Sequence, residues 1–505
     1  MNYVFFIGGS GARVYTAFLH ACAAGVIQAD DVNAILLDAD ADNAACQKSC
    51  KLFHIYQDHR NMIYGKGSDS TAFHCKIQMY QEEAISPVQG NITHLNRVSG
   101  GNSDRERVLR WFYTEEELYQ NLDKGFYAHP NIGCMFFQDF GSNPHLKKCL
   151  SQIANDVNQG KEPRVVIVGS VFGGTGAAGI PSILKIVEEA CHVRDGQPQP
   201  AGPHFGGVLV TPYFKVAEAP CGQQLAIDSD KFYDSTKAAL NYYRFIDKFE
   251  KTYLVGQKTL ETVNEQYADG GEEQDNKPHI VEMSAAMAIK DFLEGTNEER
   301  QILGEFFDFE NNNEPVTWDF FGEDMYHLAD MLRAQMVLET AIYPCAGVQF
   351  AESWGGCYQW RWVYSTDSAA CQGQLEIMQQ YSRFFFEWLY SLQCAYTETS
   401  DVQTMGHLKL CDPEILTQLW NRVEDRVENR GDDLPEYKAK GWRKYQEDFI
   451  NLVETSEKIE YVVEKVGVLL SALGVIRKPI GVMDCAILFL KLFGLVKHVH
   501  TQAES

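Results

Sequence analysis

Residues 165–179 have the sequence VVIVGSVFGGTGAAG, which is the clearest indication of the fold in this chain. The apolar run Val165–Val168 is typical of a buried β-strand, and an apolar helical pattern over Ile180–Cys191 follows the glycines. A polar, glycine-dense loop between a buried strand and an apolar helix is unfavourable without a function, because glycine lets backbone N–H groups approach an anion closely. The stretch therefore predicts a strand–loop–helix unit in which Gly173–Gly176 binds phosphate, with the Thr175 hydroxyl as an added donor.

The same alternation of apolar strands and helical patterns runs through the first half of the chain. Val4–Ile7 and Ala34–Leu37 are strands by run length and branching, and Ala12–Ala24 between them has helical spacing. A strand, a helix and a strand in this order favour parallel pairing. Further elements of the pattern are the strands Gly207–Val210 and Thr252–Val255 and the helix Tyr233–Phe249. We therefore expect a doubly wound, Rossmann-like α/β domain over about residues 1–260.

Three more turns carry residues suited to a ligand. Gly8-Gly9-Ser10-Gly11-Ala12-Arg13 lies between the first strand and the first helix, where backbone N–H groups and the helix dipole attract phosphate. Asp38-Ala39-Asp40-Ala41-Asp42-Asn43 follows the second strand, and its carboxylates suit ribose hydroxyls or a metal, with Asp40 as the candidate metal ligand. The alternative for Asp42 or Asn43 is a cap for the next helix. Gly141-Ser142-Asn143-Pro144 opens another helix and is otherwise an ordinary turn.

Composition and charge exclude several classes of function. The chain has 505 residues, a length typical of two to four domains. Lys plus Arg total 44 and Asp plus Glu total 69, so the net charge of −25 repels nucleic acid and anionic membranes, while a local phosphate cleft remains allowed. The 14 cysteines form no CxxC pair, and the first residues enter a strand pattern rather than a signal peptide. These features predict a cytoplasmic protein with reduced, mostly buried thiols.

Known nucleotide motifs are only partly matched. No G-x-x-x-x-G-K-[ST] loop occurs. Gly174–Gly179 matches G-x-G-x-x-G, but the following strand ends at Val210-Thr211-Pro212 and not at an acidic residue for a ribose. The N-terminal loop has Val14 in place of the third glycine. An NAD(P)-binding Rossmann enzyme therefore stays an alternative with an incomplete fingerprint.

The order of the loops resembles the tubulin/FtsZ superfamily of GTP-binding proteins. Gly173–Gly179 is similar to the family's GGTGxG phosphate loop, with Ala178 at the usual position of the last glycine. Gly8–Gly11 and Asp38–Ala41 resemble the first and second nucleotide loops, and Gly141–Pro144 resembles the third, which senses the terminal phosphate. The resemblance covers about 300 residues and implies GTP or GDP with Mg²⁺ as the bound ligands. The nucleotide-binding residues it implies are Gly8, Gly9, Ser10, Gly11, Ala12, Arg13, Asp38, Asp40, Gly141, Ser142, Asn143, Gly173, Gly174, Thr175, Gly176 and Asn241.

Catalysis is the largest departure from the family. Its members hydrolyse GTP between subunits, because acidic residues after the central helix of one subunit reach the nucleotide of the next. The usual N-x-D-x-x-D pattern is absent; Asp291 and Glu294, at the end of a helix over Ile280–Phe292, are the nearest candidates, and Glu282 is another. A solvated helix face is the alternative reading of all three.

The residue patterns and the resemblance together give the expected domain organisation, and the mainly α second half departs from the family. Residues 1–277 would form the nucleotide domain with an insertion at 51–130 and an acidic loop at 264–277, and 278–295 would form the central helix. Residues 296–505 would be a mainly α half, with one strand at Tyr358–Tyr364. Its predicted helices are Met325–Thr340, Gln372–Tyr396, Pro413–Asn429 and Tyr437–Leu473, and the aromatic run 384–390 is assigned to the core. The apolar segment Val466–Val499 is broken by Arg477-Lys478-Pro479, which favours two buried helices over a membrane span. A membrane-surface or partner-binding hairpin is the alternative for this segment.

The sequence thus predicts a prokaryotic, tubulin/FtsZ-like GTP-binding protein that assembles into filaments or rings, with GTP hydrolysis coupled to assembly. A non-polymerising switch or scaffold, whose helical second half holds a protein partner, is the first alternative. Neither version binds nucleic acid or a membrane.

Overall fold

A computed structural model describes most of the first 307 residues. The described residues are 1–40, 42–64, 73–88, 92–122, 124–138, 140–192, 202–216, 229–258, 261–262, 271, 274–295 and 301–307, with 332, 380–381, 384–385, 387–389 and 391–392 beyond them. The chain divides into two compact units. The first comprises Met1–Phe18, Ala29–Lys51 and Cys75–Asn313, and the second comprises Leu19–Gln28, Leu52–His74 and Glu314–Ser505.

The first unit is built on a parallel sheet of seven strands in the order β3-β2-β1-β4-β5-β7-β9. These strands are β1 (Asn2–Ile7), β2 (Val32–Leu37), β3 (Ile77–Met79), β4 (Arg164–Ser170), β5 (His204–Val210), β7 (Phe249–Gln257) and β9 (Gln301–Phe307). A second, two-stranded sheet pairs β6 (Phe214–Lys215) with β8 (Glu261–Thr262).

Helices connect these strands. They are α1 (Gly8–Ala23), α2 (Ala44–Tyr64), α3 (Ser103–Phe112), α4 (Glu115–Tyr119), α5 (Pro130–Phe137), α6 (Pro144–Asn158), α7 (Gly174–Cys191), α8 (Phe232–Tyr243) and α9 (Ile280–Glu294). Short 3-10 turns span Leu95–Ser99, Phe140–Ser142 and Ser229–Lys231.

The central strands are buried on both faces, as expected of a parallel sheet covered by helices on each side. In β1, β2, β4 and β5, nearly every residue is buried. The chain fills the sheet in one direction from β1 and in the other direction from β4, so the strand order reverses between these two neighbours. This arrangement confirms the predicted α/β class with a parallel sheet, and ligands of such sheets bind where the order reverses.

The segment 51–130, predicted to be an insertion, contributes a strand to the seven-stranded sheet. It contains the end of α2, the edge strand β3, and the helices α3 and α4. β3 pairs in parallel with β2, from Val32↔Ile77 to Ala34↔Met79.

The helix expected to join two domains instead lies within the first unit. α9 begins at Ile280, and His279 caps it together with Glu282 in a capping box. After α9 the chain returns to the sheet as β9, which pairs in parallel with β7. The first unit therefore continues to residue 313, past the boundary expected at 277.

Little of the second half is described. Apart from Leu332, the predicted elements Met325–Thr340, Tyr358–Tyr364, Pro413–Asn429 and Tyr437–Leu473 lie outside the described residues, as does the apolar segment Val466–Val499. Within Gln372–Tyr396 the described residues are helical, as predicted. Phe385, Trp388 and Leu389 are buried, which confirms the core assignment for these three members of the aromatic run. Among all described helices, none is long and apolar enough to cross a membrane.

The described part of the second unit contains an aromatic cluster around His20. Tyr381, Phe385 and Trp388 surround the His20 ring, with the Trp388 centroid at 4.6 Å. Burial lowers the pKa of His20 to about 3, so the ring is neutral and packs as an apolar group.

The described cysteines agree with the expectation of free thiols. Cys22, Cys46, Cys50, Cys75 and Cys149 are buried thiols outside any disulfide. The two remaining ones, Cys134 and Cys191, are also free but less covered.

The contact of α7 with β1 leaves no room for a side chain at Gly179. A Cβ there would lie 2.6 Å from Cγ2 of Ile7 and 3.0 Å from Cζ of Phe137. We predict that Gly179→Val lowers the free energy of unfolding by about 1–3 kcal/mol through overpacking. Urea denaturation measures this loss. Gly202→Val is the control, because that position has no neighbour within 4 Å; equal losses in the two variants would contradict the packing described.

Candidate functional site

A cleft lies at the carboxyl ends of β1 and β4, where the strand order reverses. It encloses about 720 Å³ of space, part of it open to solvent. Its lining comes mainly from four segments: Gly8–Arg13, Asp38–Asn43, Lys124–Ala128 and Ser170–Gly176. Three of these segments carry the predicted phosphate and carboxylate loops, so the fold brings them together around one cavity.

The loop after β4 requires glycine for steric reasons. A Cβ on Gly174 would lie 2.7 Å from Cβ of Phe126 and 3.1 Å from the backbone N of His129. A Cβ on Gly176 would overlap the carbonyl oxygen of Ser170. These glycines allow α7 to start directly against the end of the strand and beside the segment 124–129.

The amino end of α7 is open towards a ligand. Its N-cap, Gly173, has no side chain, so no side-chain cap occupies the first backbone N–H groups of the helix. Backbone N–H groups at a helix amino end, together with the positive end of the helix dipole, are suited to an anion.

The first loop contributes less of its length than the sequence predicts. Gly8, Gly9, Ser10 and Arg13 line the cleft, and Gly8 has a left-handed φ of 76° that favours glycine. Gly11 is instead packed on the backbone of β1, since a Cβ there would lie 2.9 Å from the carbonyl carbon of Phe6. Ala12 is fully buried and is not part of the lining either.

Asp38 is a buried carboxyl at the floor of the cleft, with only 4 % of the residue exposed. Burial, together with the charge of Asp40, raises the pKa of Asp38 to about 7. Hydrogen bonds from the backbone N of Asp40, from Cys46 Sγ and from the Thr175 side chain oppose this rise. The Thr175 hydroxyl, predicted as a phosphate donor, thus connects the Gly173–Gly176 loop to the loop that contains Asp38.

The rest of the second loop is held by the acidic segment near residue 271. Asp40 Oδ2 accepts a hydrogen bond of 2.7 Å from the backbone N of Gly271. Asn43 Oδ1 accepts from Ala45 N at the start of α2, which confirms the capping alternative for Asn43. The Asn43 Nδ2 group donates to Gln274 Oε1 at 2.9 Å.

A buried ion pair closes one side of the site. Arg13 Nε donates to Glu282 Oε1 at 2.6 Å, and both side chains are at most 10 % exposed. Tyr213 completes a triangle, since its hydroxyl accepts from Arg13 and donates to Glu282. Glu282 is therefore a partner of Arg13 and not a solvated helix residue.

One wall of the cleft was missed by sequence reasoning. Lys124, Gly125, Phe126, Tyr127 and Ala128 all line it, although they belong to the segment interpreted as an insertion. Gly125, Tyr127 and Ala128 have left-handed φ values of 91°, 45° and 59°. Gly125 was the only sequence signal, and a single glycine is too common to mark a site.

Other predicted site residues lie elsewhere. Gly141, Ser142 and Asn143 are not among the residues that line the cleft. Asn143 caps α6, because its Oδ1 accepts from the backbone N of His145 and of Leu146. Asn241 is exposed on α8 and is also outside the lining.

The catalytic candidates, Asp291 and Glu294, lie at the opposite ends of the strands from the cleft. Asp291 Oδ2 accepts from Lys251 Nζ at 3.1 Å, near the start of β7, and Glu294 pairs with Lys290 at 3.1 Å. Arg164, the first residue of β4, donates to the carbonyl oxygens at the end of α9. Both acids therefore lie at the amino ends of the strands, and the cleft lies at the carboxyl ends.

Comparison with models of protein families and with curated protein sequences found no match. Within the described residues, no group of three or more His, Cys, Asp or Glu side chains could hold a metal ion by itself.

We predict that Asp38 makes stability depend on pH. Its pKa of about 7 in the folded chain exceeds the ordinary 3.8, so between these values the unfolded chain loses the proton first and stability falls as pH rises. Asp38→Asn removes this effect. Between pH 4 and pH 8, the free energy of unfolding of the variant should therefore rise relative to that of the unsubstituted protein by up to about 4 kcal/mol.

Urea denaturation across this pH range measures the gain. Asp42→Asn, at an exposed position of the same loop, is the matched control for the loss of one negative charge. Parallel stability curves for Asp38→Asn and the unsubstituted protein would contradict the buried position of the carboxyl.

The ion pair between Arg13 and Glu282 predicts that a second substitution partly restores the stability lost through the first. Arg13→Met leaves the Glu282 charge buried without its partner and should cost about 3–5 kcal/mol of unfolding free energy. Adding Glu282→Gln removes that charge and should recover part of the loss, as a double-mutant cycle by denaturation would show. Strict additivity of the two substitutions would mean that the side chains do not interact.

Proposed function

We propose that this chain binds a nucleoside triphosphate in the cleft, GTP by its resemblance to the tubulin/FtsZ superfamily. The observation that carries the proposal is the meeting of two glycine loops with the uncapped amino end of α7 at the point where the strand order reverses. Backbone N–H groups at such a point are suited to phosphate and need no lysine or arginine. An acidic chain can bind an anion in this way.

The roles of the residues follow from their positions. Gly173–Gly176 would bind phosphate through backbone N–H groups, and Gly8–Ser10 would face the same phosphates from the other loop. Arg13, with its charge neutralised by Glu282, would shape the pocket rather than bind phosphate.

The carboxylates at the floor of the cleft are compatible with Mg²⁺. This ion is commonly held by one or two carboxylates together with phosphate oxygens and water. Asp38 and Asp40 supply two carboxylates beside the glycine loops. Asp40 would be the first ligand, because the raised pKa of Asp38 favours its protonated form below about pH 7. When bound, the metal would neutralise phosphate charge.

Assembly into filaments or rings is the second part of the proposal. Asp291 and Glu294 cannot reach the cleft of their own subunit, since they lie at the amino ends of the strands and the cleft lies at the carboxyl ends. Head-to-tail contact between two copies would bring this edge towards the next cleft, and such contacts generate filaments or rings. Hydrolysis between subunits, as the resemblance implies, would use these acids.

The ion pairs of the same acids favour the alternative of a non-polymerising switch. Lys251 and Tyr253 both bind Asp291 Oδ2, and Lys290 binds Glu294. Acids held in this way within a subunit are less available for a neighbouring nucleotide. A chain that retains GTP without light scattering or phosphate release would be this switch.

We predict that Gly174→Trp abolishes nucleotide binding, because even a Cβ at this position meets Phe126 and His129. Mass spectrometry of nucleotide retained by the purified protein, with GTP-dependent pelleting as a second readout, measures the effect. Gly202→Trp is the size-matched control at an open position. Retained GTP that is lost only in Gly174→Trp supports the proposal. Retained NAD would favour the Rossmann enzyme, and the absence of any bound or bindable nucleotide would refute a nucleotide site.

A further inference from the structure

The segment 51–130 presents a group of large apolar side chains to solvent. On α3, Trp111 is 73 % and Phe112 is 72 % exposed, and Val108 on the same helix is exposed as well. These residues follow the spacing i, i+3 and i+4, so they are neighbours on the helix surface. Tyr119, at the end of α4, is also exposed, and its hydroxyl accepts from Arg110 of α3. Single exposed apolar residues are common, but a group of large ones is typical of a binding surface.

We call Val108, Trp111, Phe112 and Tyr119 the α3–α4 patch. It is separate from the cleft, whose lining comes from other segments.

The two helices that carry the patch are anchored to the core by their other faces. Leu109 of α3 and Leu118 of α4 are buried in the hydrophobic core of the first unit. Thr114 and Glu117 form a capping box at the start of α4, and Glu117 accepts a hydrogen bond of 2.6 Å from Asn131 of α5. The exposed side chains are therefore presented on a preformed surface, which loses little conformational freedom on binding.

The charges on the two sides of the patch have opposite signs. α3 contains three arginines and two acidic residues, and α4 begins with three consecutive glutamates. Arg105 and Arg107 on the basic side are exposed, as are Glu115 and Glu116 on the acidic side. A surface that carries both signs can fit a copy of itself, because a two-fold axis through its centre places the basic side of one copy on the acidic side of the other.

The same charges disfavour other occupants. An anionic membrane or a nucleic acid would meet the glutamates of α4 directly beside the aromatic residues, on a chain with a net charge of −25. A second copy carries the same net charge, but its arginines can pair with these glutamates. Salt screens the remaining long-range repulsion between the two copies.

We propose that the α3–α4 patch joins two copies of this chain in a two-fold symmetric dimer. The apolar side chains lie at the centre of the contact, and the arginines of α3 pair at its rim with Glu115 and Glu116 of the other copy. Aromatic residues and arginine are enriched in interfaces and provide much of their binding energy. A two-fold contact uses one surface twice and closes at two copies, whereas the head-to-tail contact proposed for filaments continues. The dimer therefore requires no nucleotide and is independent of the proposed function.

Sedimentation of the full chain without nucleotide tests the contact. Because two short helices form a small interface, we expect a monomer–dimer equilibrium between about 1 and 100 µM. Phe112→Gln should weaken dimerisation by at least about 10-fold, since it removes an aromatic ring from the centre of the contact. Phe245→Gln is the matched control, because Phe245 is 74 % exposed and lies just after α8, outside the patch. It should leave the dimer unchanged.

Exchanging the charges tests the identity of the partner. Arg105→Glu combined with Arg107→Glu makes both sides of the patch acidic, and Glu115→Lys combined with Glu116→Lys makes both sides basic. Each doubly substituted chain alone should be monomeric, because like charges then face each other. An equimolar mixture of the two should form a mixed dimer, and such recovery shows that both chains are folded.

The other outcomes would overturn the dimer. A chain that stays monomeric over the whole concentration range has no such contact. A dimer that persists in Phe112→Gln and in both charge variants uses another surface. Binding of a monomeric chain to vesicles of anionic lipid, lost in Phe112→Gln, would assign the patch to a membrane. Failure to bind any nucleotide would refute the proposed function and leave the dimer standing.

Discussion

The parallel pairing of β1 with β4 is the constraint on which the site depends. Their register runs from Asn2↔Arg164 to Ile7↔Gly169, so the two strands end side by side. As a result Gly8 lies next to Gly176, and a Cβ on Gly8 would be 3.4 Å from the Gly176 backbone N. Two helices therefore begin at one point and direct their first N–H groups and dipoles into the same cleft. Neither loop alone would form such a site.

Charge inside this site is controlled by pairing and burial rather than by an excess of basic residues. The chain as a whole carries −25. Glu282 of α9 neutralises Arg13 of α1, so the ion pair couples two helices through residues that are 269 positions apart in sequence. Burial raises the pKa of Asp38 to about 7, so its carboxyl is mostly protonated and uncharged below that pH. The protonated carboxyl would therefore oppose the proposed binding of an anion by the backbone donors only weakly.

Much of the fold was predictable, because a buried parallel strand leaves a continuous apolar run and the glycine loops leave their own pattern. The five strands predicted in the first half of the chain all lie within observed strands, and the sixth, Tyr358–Tyr364, lies outside the described residues. β9 was missed because Gln301–Phe307 combines polar and apolar residues, and it is a strand only through its pairing with β7. The burial predicted for the aromatic run is confirmed at Phe385, Trp388 and Leu389, because removing a large aromatic side chain from water is strongly favourable in free energy.

The loops that follow β1, β2 and β4 could be located from the sequence alone, since strand, loop and helix are adjacent in the chain. The tertiary structure selects which side chains share the cleft. It brought in Lys124–Ala128 from a distant segment and excluded Asn143, whose amide oxygen is used to cap α6. It also paired Arg13 with Glu282 and buried Asp38. These contacts depend on packing between residues far apart in sequence, and packing across such distances leaves no local pattern to read.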